Sequence, residues 1–186
     1  KEKEFFGLDF FVDERVLIPR PETEMLVEKV LDYLNKNYEE GRRFRVLDVG
    51  TGSGNIAVSV AKNFDDERES FEQIDAVDID EGAVEVAKVN VEQHGLSERV
   101  CVFQSDLLDF VEDGEKYDVI VANLPYIGEE KNRFVSAEAE KYEPGAALFG
   151  GNDGLELYKK LFQQVREKNI DYGVILGEFG FAQRED

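Results

Sequence analysis

Cysteine and histidine occur once each in the 186 residues, as Cys101 and His94. A single cysteine excludes an intrachain disulfide. One of each leaves too few ligands for a Cys/His metal centre, so no metal is expected. Cys101 falls in Val100-Cys101-Val102-Phe103 and reads as a buried strand residue. His94 precedes Gly95 at a helix end, where capping is the expected role. No apolar signal-peptide stretch follows Lys1-Glu2-Lys3-Glu4, and no run approaches membrane-spanning length. A cytoplasmic chain without a membrane partner is the expectation. Basic residues are also scarce: 22 Lys and Arg stand against 42 Asp and Glu, a formal net charge of −20. Such a surface repels phosphate backbones, so a nucleic-acid ligand would need a local basic patch. Only Arg42-Arg43-Phe44-Arg45 clusters, at the start of a strand, and no direct nucleic-acid binding is expected. Linkers, repeats and low-complexity tracts are missing as well, which gives one domain over residues 1–186 and a monomer.

Hydrophobic residues make up 42% of the chain and charged residues 34%, enough for a sizeable core. Phe5 to Val12 is aromatic and short-period and reads as β. A turn at Asp13-Glu14-Arg15 leads to Val16-Leu17-Ile18. Pro19-Arg20-Pro21-Glu22-Thr23-Glu24 then opens a helix at Pro21 or Thr23 that runs to about Asn37. Residues 1–40 thus form a lead-in of hairpin and helix before a core at 41–186. Strands are expected at Phe44–Val49, Gln73–Asp78, Val100–Gln104, Tyr117–Ala122 and Tyr172–Glu178. Helices are expected at Asn55–Lys62, Glu81–His94 and from Asp153-Gly154 to Lys168. The last should turn Leu155, Leu157, Leu161, Phe162 and Val165 inward. Asp65–Ser70 reads as a charged loop and Gly128–Asn152 as a lid or hairpin. Alternating strands and helices imply an α/β fold, a mostly parallel sheet with helices on both faces.

Two stretches carry chemistry. Gly50-Thr51-Gly52-Ser53-Gly54 joins a strand to a helix, the form of a nucleotide-type first turn. The dinucleotide fingerprint wants glycine where Asn55 stands. Asp48, Asp78 and Asp106 fall at or near strand ends, and together they repel a pyrophosphate and attract a sulfonium bearing an α-amino group. Asp78 suits ribose hydroxyls and Asp106 an adenine amino group, although strand-end aspartates also cap turns. The second stretch is Asn123-Leu124-Pro125-Tyr126, which ends an apolar strand where ligands of open α/β sheets bind. The Asn123 side-chain oxygen, the Leu124 carbonyl and the Tyr126 ring suit a planar NH2-bearing group. Alternatively, the same four residues form a simple turn after a core strand.

Asp48-Val49-Gly50-Thr51-Gly52-Ser53-Gly54 resembles the S-adenosylmethionine loop of class I methyltransferases. Asn123-Leu124-Pro125-Tyr126 is similar to the Asn-Pro-Pro-Tyr motif of amino-group methyltransferases. Val16 to Glu24, and later Tyr142-Glu143-Pro144 with Leu148 to Leu155, resemble the HemK/PrmC branch, the peptide-chain release factor N5-glutamine methyltransferases. That resemblance covers about Phe5 to Gly180 and implies a Rossmann-like class I methyltransferase fold. It implies S-adenosylmethionine as cofactor, held by Asp48, Gly50, Thr51, Gly52, Ser53, Gly54, Asp78, Ile79, Asp106, Leu107 and Asn123. It implies a release factor as partner, with Asn123, Leu124, Pro125 and Tyr126 catalytic. Arg20, Pro21, Glu22, Thr23, Asn123 and Tyr126 would contact this substrate, while Glu24 is expected to be structural. Leu124 replaces the family's first proline, and Asn-Leu-Pro-Tyr also occurs in ribosomal RNA adenine dimethyltransferases. An adenine-amino methyltransferase, or a cofactor-binding fragment without turnover, is therefore an alternative. The family's N-terminal helical domain and its last strands are expected to be missing from this chain.

Overall fold

In the computed structural model, residues 1–64, 71–126, 153–180 and Gln183 are described. The charged loop at 65–70, the lid segment at 128–152 and the later family block at 142–152 lie outside these residues. The order is β1 (Glu2–Phe5), β2 (Leu8–Phe11), a 3-10 turn at Pro21–Thr23, α1 (Glu24–Asn37), β3 (Phe44–Val49), α2 (Asn55–Phe64) and β4 (Phe71–Asp78). It continues through α3 (Glu81–Gln93), β5 (Val100–Gln104), β6 (Lys116–Ala122), α4 (Glu156–Glu167) and β7 (Asp171–Gly177). Among the described residues, no helix is long and apolar enough to cross a membrane.

Five strands form one parallel sheet in the order β5-β4-β3-β6-β7. Strands buried on both faces need apolar residues at nearly every position, and β3 and β6 have them. Val46, Ile74, Ala76, Val119 and Val121 meet α1 and α2 on one face. Leu47, Val49, Val77, Ile120 and Ala122 pack with Leu161 and Val165 of α4 on the other. The chain leaves β3 for β4 and β5 on one side, then returns to place β6 on the other side of β3. This reversal opens a crevice between the carboxyl ends of β3 and β6, where open α/β sheets bind ligands. Both stretches singled out above border it.

Three local expectations need correction. The hairpin turns at Phe6-Gly7, inside the stretch read as β; β1 and β2 pair from Glu2 with Phe11 to Phe5 with Leu8, and the turn expected at Asp13–Arg15 follows β2, with Val16 N donating to Asp13 O at 3.3 Å. Phe6 (φ 52°) and Gly7 (φ 74°) are both left-handed, the geometry that joins two twisted antiparallel strands through two residues. Aromatic periodicity concealed it. Cys101 is exposed, not buried, because β5 is an edge strand of the sheet. Phe162 is exposed rather than inward; the buried stripe of α4 runs through Tyr158, Leu161, Gln164 and Val165.

Asn90 is fully buried on α3 and locks the lead-in to the glycine loop. Its Oδ1 accepts from Phe11 N (2.7 Å), and its Nδ2 donates to Phe11 O (2.9 Å) and Ser53 O (2.8 Å). Asn90→Ala would strand these backbone groups, and a loss of about 3 kcal/mol in urea unfolding is expected. A loss below about 1 kcal/mol would show that the lock is dispensable.

Candidate active site

The glycine loop is closed upon the sheet. Gly50 N and Thr51 N both donate to Val77 O at 2.9 Å, Gly52 N donates to Asp78 Oδ2 at 2.9 Å, and Gly54 N to Thr51 O at 2.8 Å. A phosphate-binding loop keeps such N–H groups for its anion; here four are already engaged. Gly50 (φ 72°) also lies against the second stretch, since a Cβ there would sit 2.9 Å from Leu124 Cδ2. Leu124 in turn is nearly fully buried. Gly54 (φ 79°) is required for close packing, because its Cβ would meet Ala87 Cβ at 3.3 Å.

A cleft open to solvent lies beyond these strand ends. Of the expected residues, Arg20, Thr23, Gly50, Thr51, Gly52, Ser53, Asp78, Ile79, Asp106, Leu107, Asn123, Leu124 and Pro125 line it, with Arg15, Asn55 and Asp80 besides. Asp48, Gly54, Pro21, Glu22 and Tyr126 do not. Asp48 is fully buried beneath the loop, its Oδ2 accepting from Thr51 Oγ1 (2.7 Å) and Ala57 N (3.2 Å). Burial pushes its carboxyl up to about 7, although these two donors oppose the rise. Pro21 and Glu22 face solvent. Glu24 accepts from Phe6 N at 3.0 Å and so ties α1 to the hairpin.

Of the three carboxylates that line the cleft, Asp78 is the one bonded to the glycine loop. Its oxygens accept from Gly52 N and Asp80 N (3.1 Å), which leaves lone pairs for hydroxyl donors, and burial raises its pKa. Asp106 is salt-bridged to Lys160 on α4. Leu107 holds a left-handed φ of 52° at the cleft wall, which the exposed Ile79 also lines. Engaged loop donors with an acidic wall fit a nucleoside carrying positive charge and do not fit a pyrophosphate.

The Asn-Leu-Pro-Tyr stretch is held from behind. Asn123 Nδ2 donates to Thr23 Oγ1 at 3.1 Å. Among the described residues nothing donates to Asn123 Oδ1 or to the Leu124 carbonyl. The Tyr158 hydroxyl lies within reach of Ala122 O (3.0 Å), Glu178 O (2.7 Å) and Leu124 N (3.4 Å), and binds the ends of β6 and β7 together. Tyr126 is half-buried and donates to Glu178 Oε1 at 3.1 Å; burial first, then the Glu178 charge, push its pKa up to about 12. Sequence reasoning missed Asn90, Tyr158 and the role of Glu178. Their partners are 20 to 155 residues away in the chain, and no local pattern announces them. The Arg42–Arg45 cluster lies at the start of the central strand β3, at the opposite end of the strands from the cleft. Arg42 pairs with Asp118, and Arg45 with Glu115 and Asp75.

Comparison with known proteins agrees with this geometry. The chain is 41% identical over 180 residues to the release factor glutamine methyltransferase of Koribacter versatilis, covering 97% of this chain and 60% of that protein. It is 42% identical over 183 residues to that of Bacillus subtilis, covering 97% and 61%. The chain thus spans about three fifths of the curated relatives it matches. The fold is shared with the N-terminal domain of human METTL16, solved in complex with SAH, at a TM-score of 0.56 and 22% identity over 90% of this chain and 60% of that one. The family description "Methyltransferase small domain" matches residues 23–150. With a Rossmann-like parallel sheet, a glycine loop at its switch point and this match, the chain belongs to the methyltransferase small-domain family.

Proposed function

We propose that the chain transfers a methyl group from S-adenosylmethionine to the side-chain amide nitrogen of the glutamine in the Gly-Gly-Gln motif of peptide-chain release factors. The observation that carries this reading is the position of Asn123 and Leu124. They line the same cleft as Gly50, Gly52 and Asp78, with the Asn123 amide NH2 already committed to Thr23. The relatives at 41% and 42% identity, which bear the name release factor glutamine methyltransferase, support the substrate class.

Asp78 would hold the ribose hydroxyls, Gly50 to Ser53 the amino-acid portion, and Ile79 and Leu107 the base. When bound, the cofactor supplies an electrophilic methyl group on a sulfonium. The remaining work belongs to this chain. An amide nitrogen is a poor nucleophile because its lone pair is delocalised into the carbonyl. Asn123 Oδ1 and the Leu124 carbonyl accept hydrogen bonds from its two N–H groups, fix its direction and stabilise the positive charge that develops on it, and the methylated nitrogen then releases one proton to solvent. Tyr126 offers a flat face for the amide plane. Leu124 serves as well as proline here, because the backbone carbonyl is the working group.

The test is radiolabelled methyl transfer, offered in parallel to a release factor with a Gly-Gly-Gln loop and to unmethylated ribosomal RNA. Label on the protein, lost when the glutamine is replaced, is the expected result. Label on the RNA alone would overturn the assignment in favour of an adenine amino group.

A further inference from the structure

Thr23 stands at the N-cap of α1, where a threonine hydroxyl ordinarily accepts from the first-turn N–H groups. It makes no such bond. The residue is 2% exposed, and its hydroxyl instead donates to Glu178 Oε2 at 2.8 Å, across 155 residues of chain. Glu178 follows β7. Its own N–H donates to Ala122 O (3.2 Å), and its carbonyl lies 2.7 Å from the Tyr158 hydroxyl, so the backbone that carries the carboxylate is fixed to the end of β6. The other carboxylate oxygen, Oε1, accepts from Tyr126.

From this geometry we infer that Glu178 and Thr23 are positioning residues that set which face of the Asn123 amide is presented to the substrate. A carboxylate only accepts hydrogen bonds, and a threonine hydroxyl has one proton. With that proton committed to Glu178, Thr23 Oγ1 can only accept from its second neighbour. That neighbour is the Asn123 side chain, at 3.1 Å. The amide must therefore turn its NH2 to Thr23 and leave Oδ1 for the cleft. The flipped amide would set an oxygen against an oxygen with no proton between them. Without Glu178 the Thr23 proton is free, and it can donate to Asn123 Oδ1. Asn123 would then offer a donor to an NH2 group that needs an acceptor. By holding Tyr126 through its second oxygen, the same carboxylate aligns two of the three residues assigned to the substrate amide. One anion thereby coordinates two groups from the Asn-Leu-Pro-Tyr stretch.

The inference rests on the proposed role of Asn123 in gripping an amide, but the orientation itself is testable without turnover. The Asn123 side-chain NH2 resonance is identified in 15N-labelled protein by its disappearance in Asn123→Ala. In the wild type one of its protons is expected to exchange slowly with water; in Thr23→Val and in Glu178→Ala that protection should be lost. Kinetics with S-adenosylmethionine and a release factor form the second arm. Thr23→Val, isosteric but unable to relay, should lower kcat roughly 10- to 100-fold, with the KM for S-adenosylmethionine little changed. Thr23→Ser, which keeps the hydroxyl, should restore kcat to within about threefold of wild type. Equal amide protection in wild type and both variants would overturn the inference. So would full kcat in Thr23→Val, or a loss in Thr23→Val that Thr23→Ser fails to repair. If the wild type labels no release factor, the functional reading fails alone, and the exchange measurement still decides the orientation.

Discussion

Asn123→Ala is expected to lower kcat for release factor methylation by roughly 10²- to 10³-fold, the cost of removing one group that meets developing charge. The affinity for S-adenosylhomocysteine should stay within about threefold, because the proposed cofactor wall is Gly50 to Ser53 with Asp78 rather than the Asn123 amide. The two quantities separate the roles. An acceptor used only as the nitrogen gains positive charge affects kcat; an acceptor that also holds the cofactor would affect both. Leu124→Pro is the companion variant. It keeps the backbone carbonyl and removes an N–H whose bond to Tyr158 is already long at 3.4 Å. It should retain most of the activity, provided that the ring is accepted beside Gly50, where Leu124 Cδ2 now packs. Single-turnover rates and calorimetric titration check both variants. Unchanged turnover in Asn123→Ala would remove the assigned chemistry from that residue.

The fold was largely legible because its determinants are local. The apolar runs at β3 and β6 are long enough to declare buried strands, and the Gly50–Gly54 loop between β3 and α2 declares a ligand-binding first turn. The edges were less legible. Cys101 and Phe162 sit in apolar contexts, yet neither the edge position of β5 nor the rotation of α4 is written in hydrophobicity alone. Within the site, residue identity was legible and the division of labour was not. Asp48 and Asp78 look equivalent as strand-end acids. Only the tertiary structure puts one beneath the loop and the other in the cleft. Thr23 was foreseen as a substrate contact and Glu178 as a strand end. Their bond could not be read from sequence, because a pairing across 155 residues leaves no periodic trace.

That division of labour makes Asp48 a strong test of how the loop is held. The residue is fully buried, Oδ1 has no hydrogen-bond partner among the described residues, and the nearby Asp78 charge adds to a rise driven first by burial. With the folded carboxyl at about 7 and the ordinary value at 3.8, the native state binds more protons than the unfolded state between those pH values. Stability due to this residue is therefore greatest at low pH and declines as pH rises, by about 1.4 kcal/mol per unit while the two states differ by a full proton. Above about 7 both states are ionised and the decline stops. Asp48→Asn replaces the buried charge by a neutral group of the same shape whose oxygen can still accept from Thr51 and Ala57. The variant should gain on the wild type by roughly 2–3 kcal/mol between pH 5 and pH 8 in urea unfolding. Comparing variant with wild type cancels the slopes due to Asp78, also raised, and to Asp13 and Asp153, both lowered. A difference that does not change with pH would mean that Asp48 is not the buried proton carrier. If Asp48→Asn is more stable at pH 8 and still binds S-adenosylhomocysteine, the carboxylate acts on the loop rather than on the ligand. Loss of that binding at undiminished stability would return Asp48 to the cofactor wall.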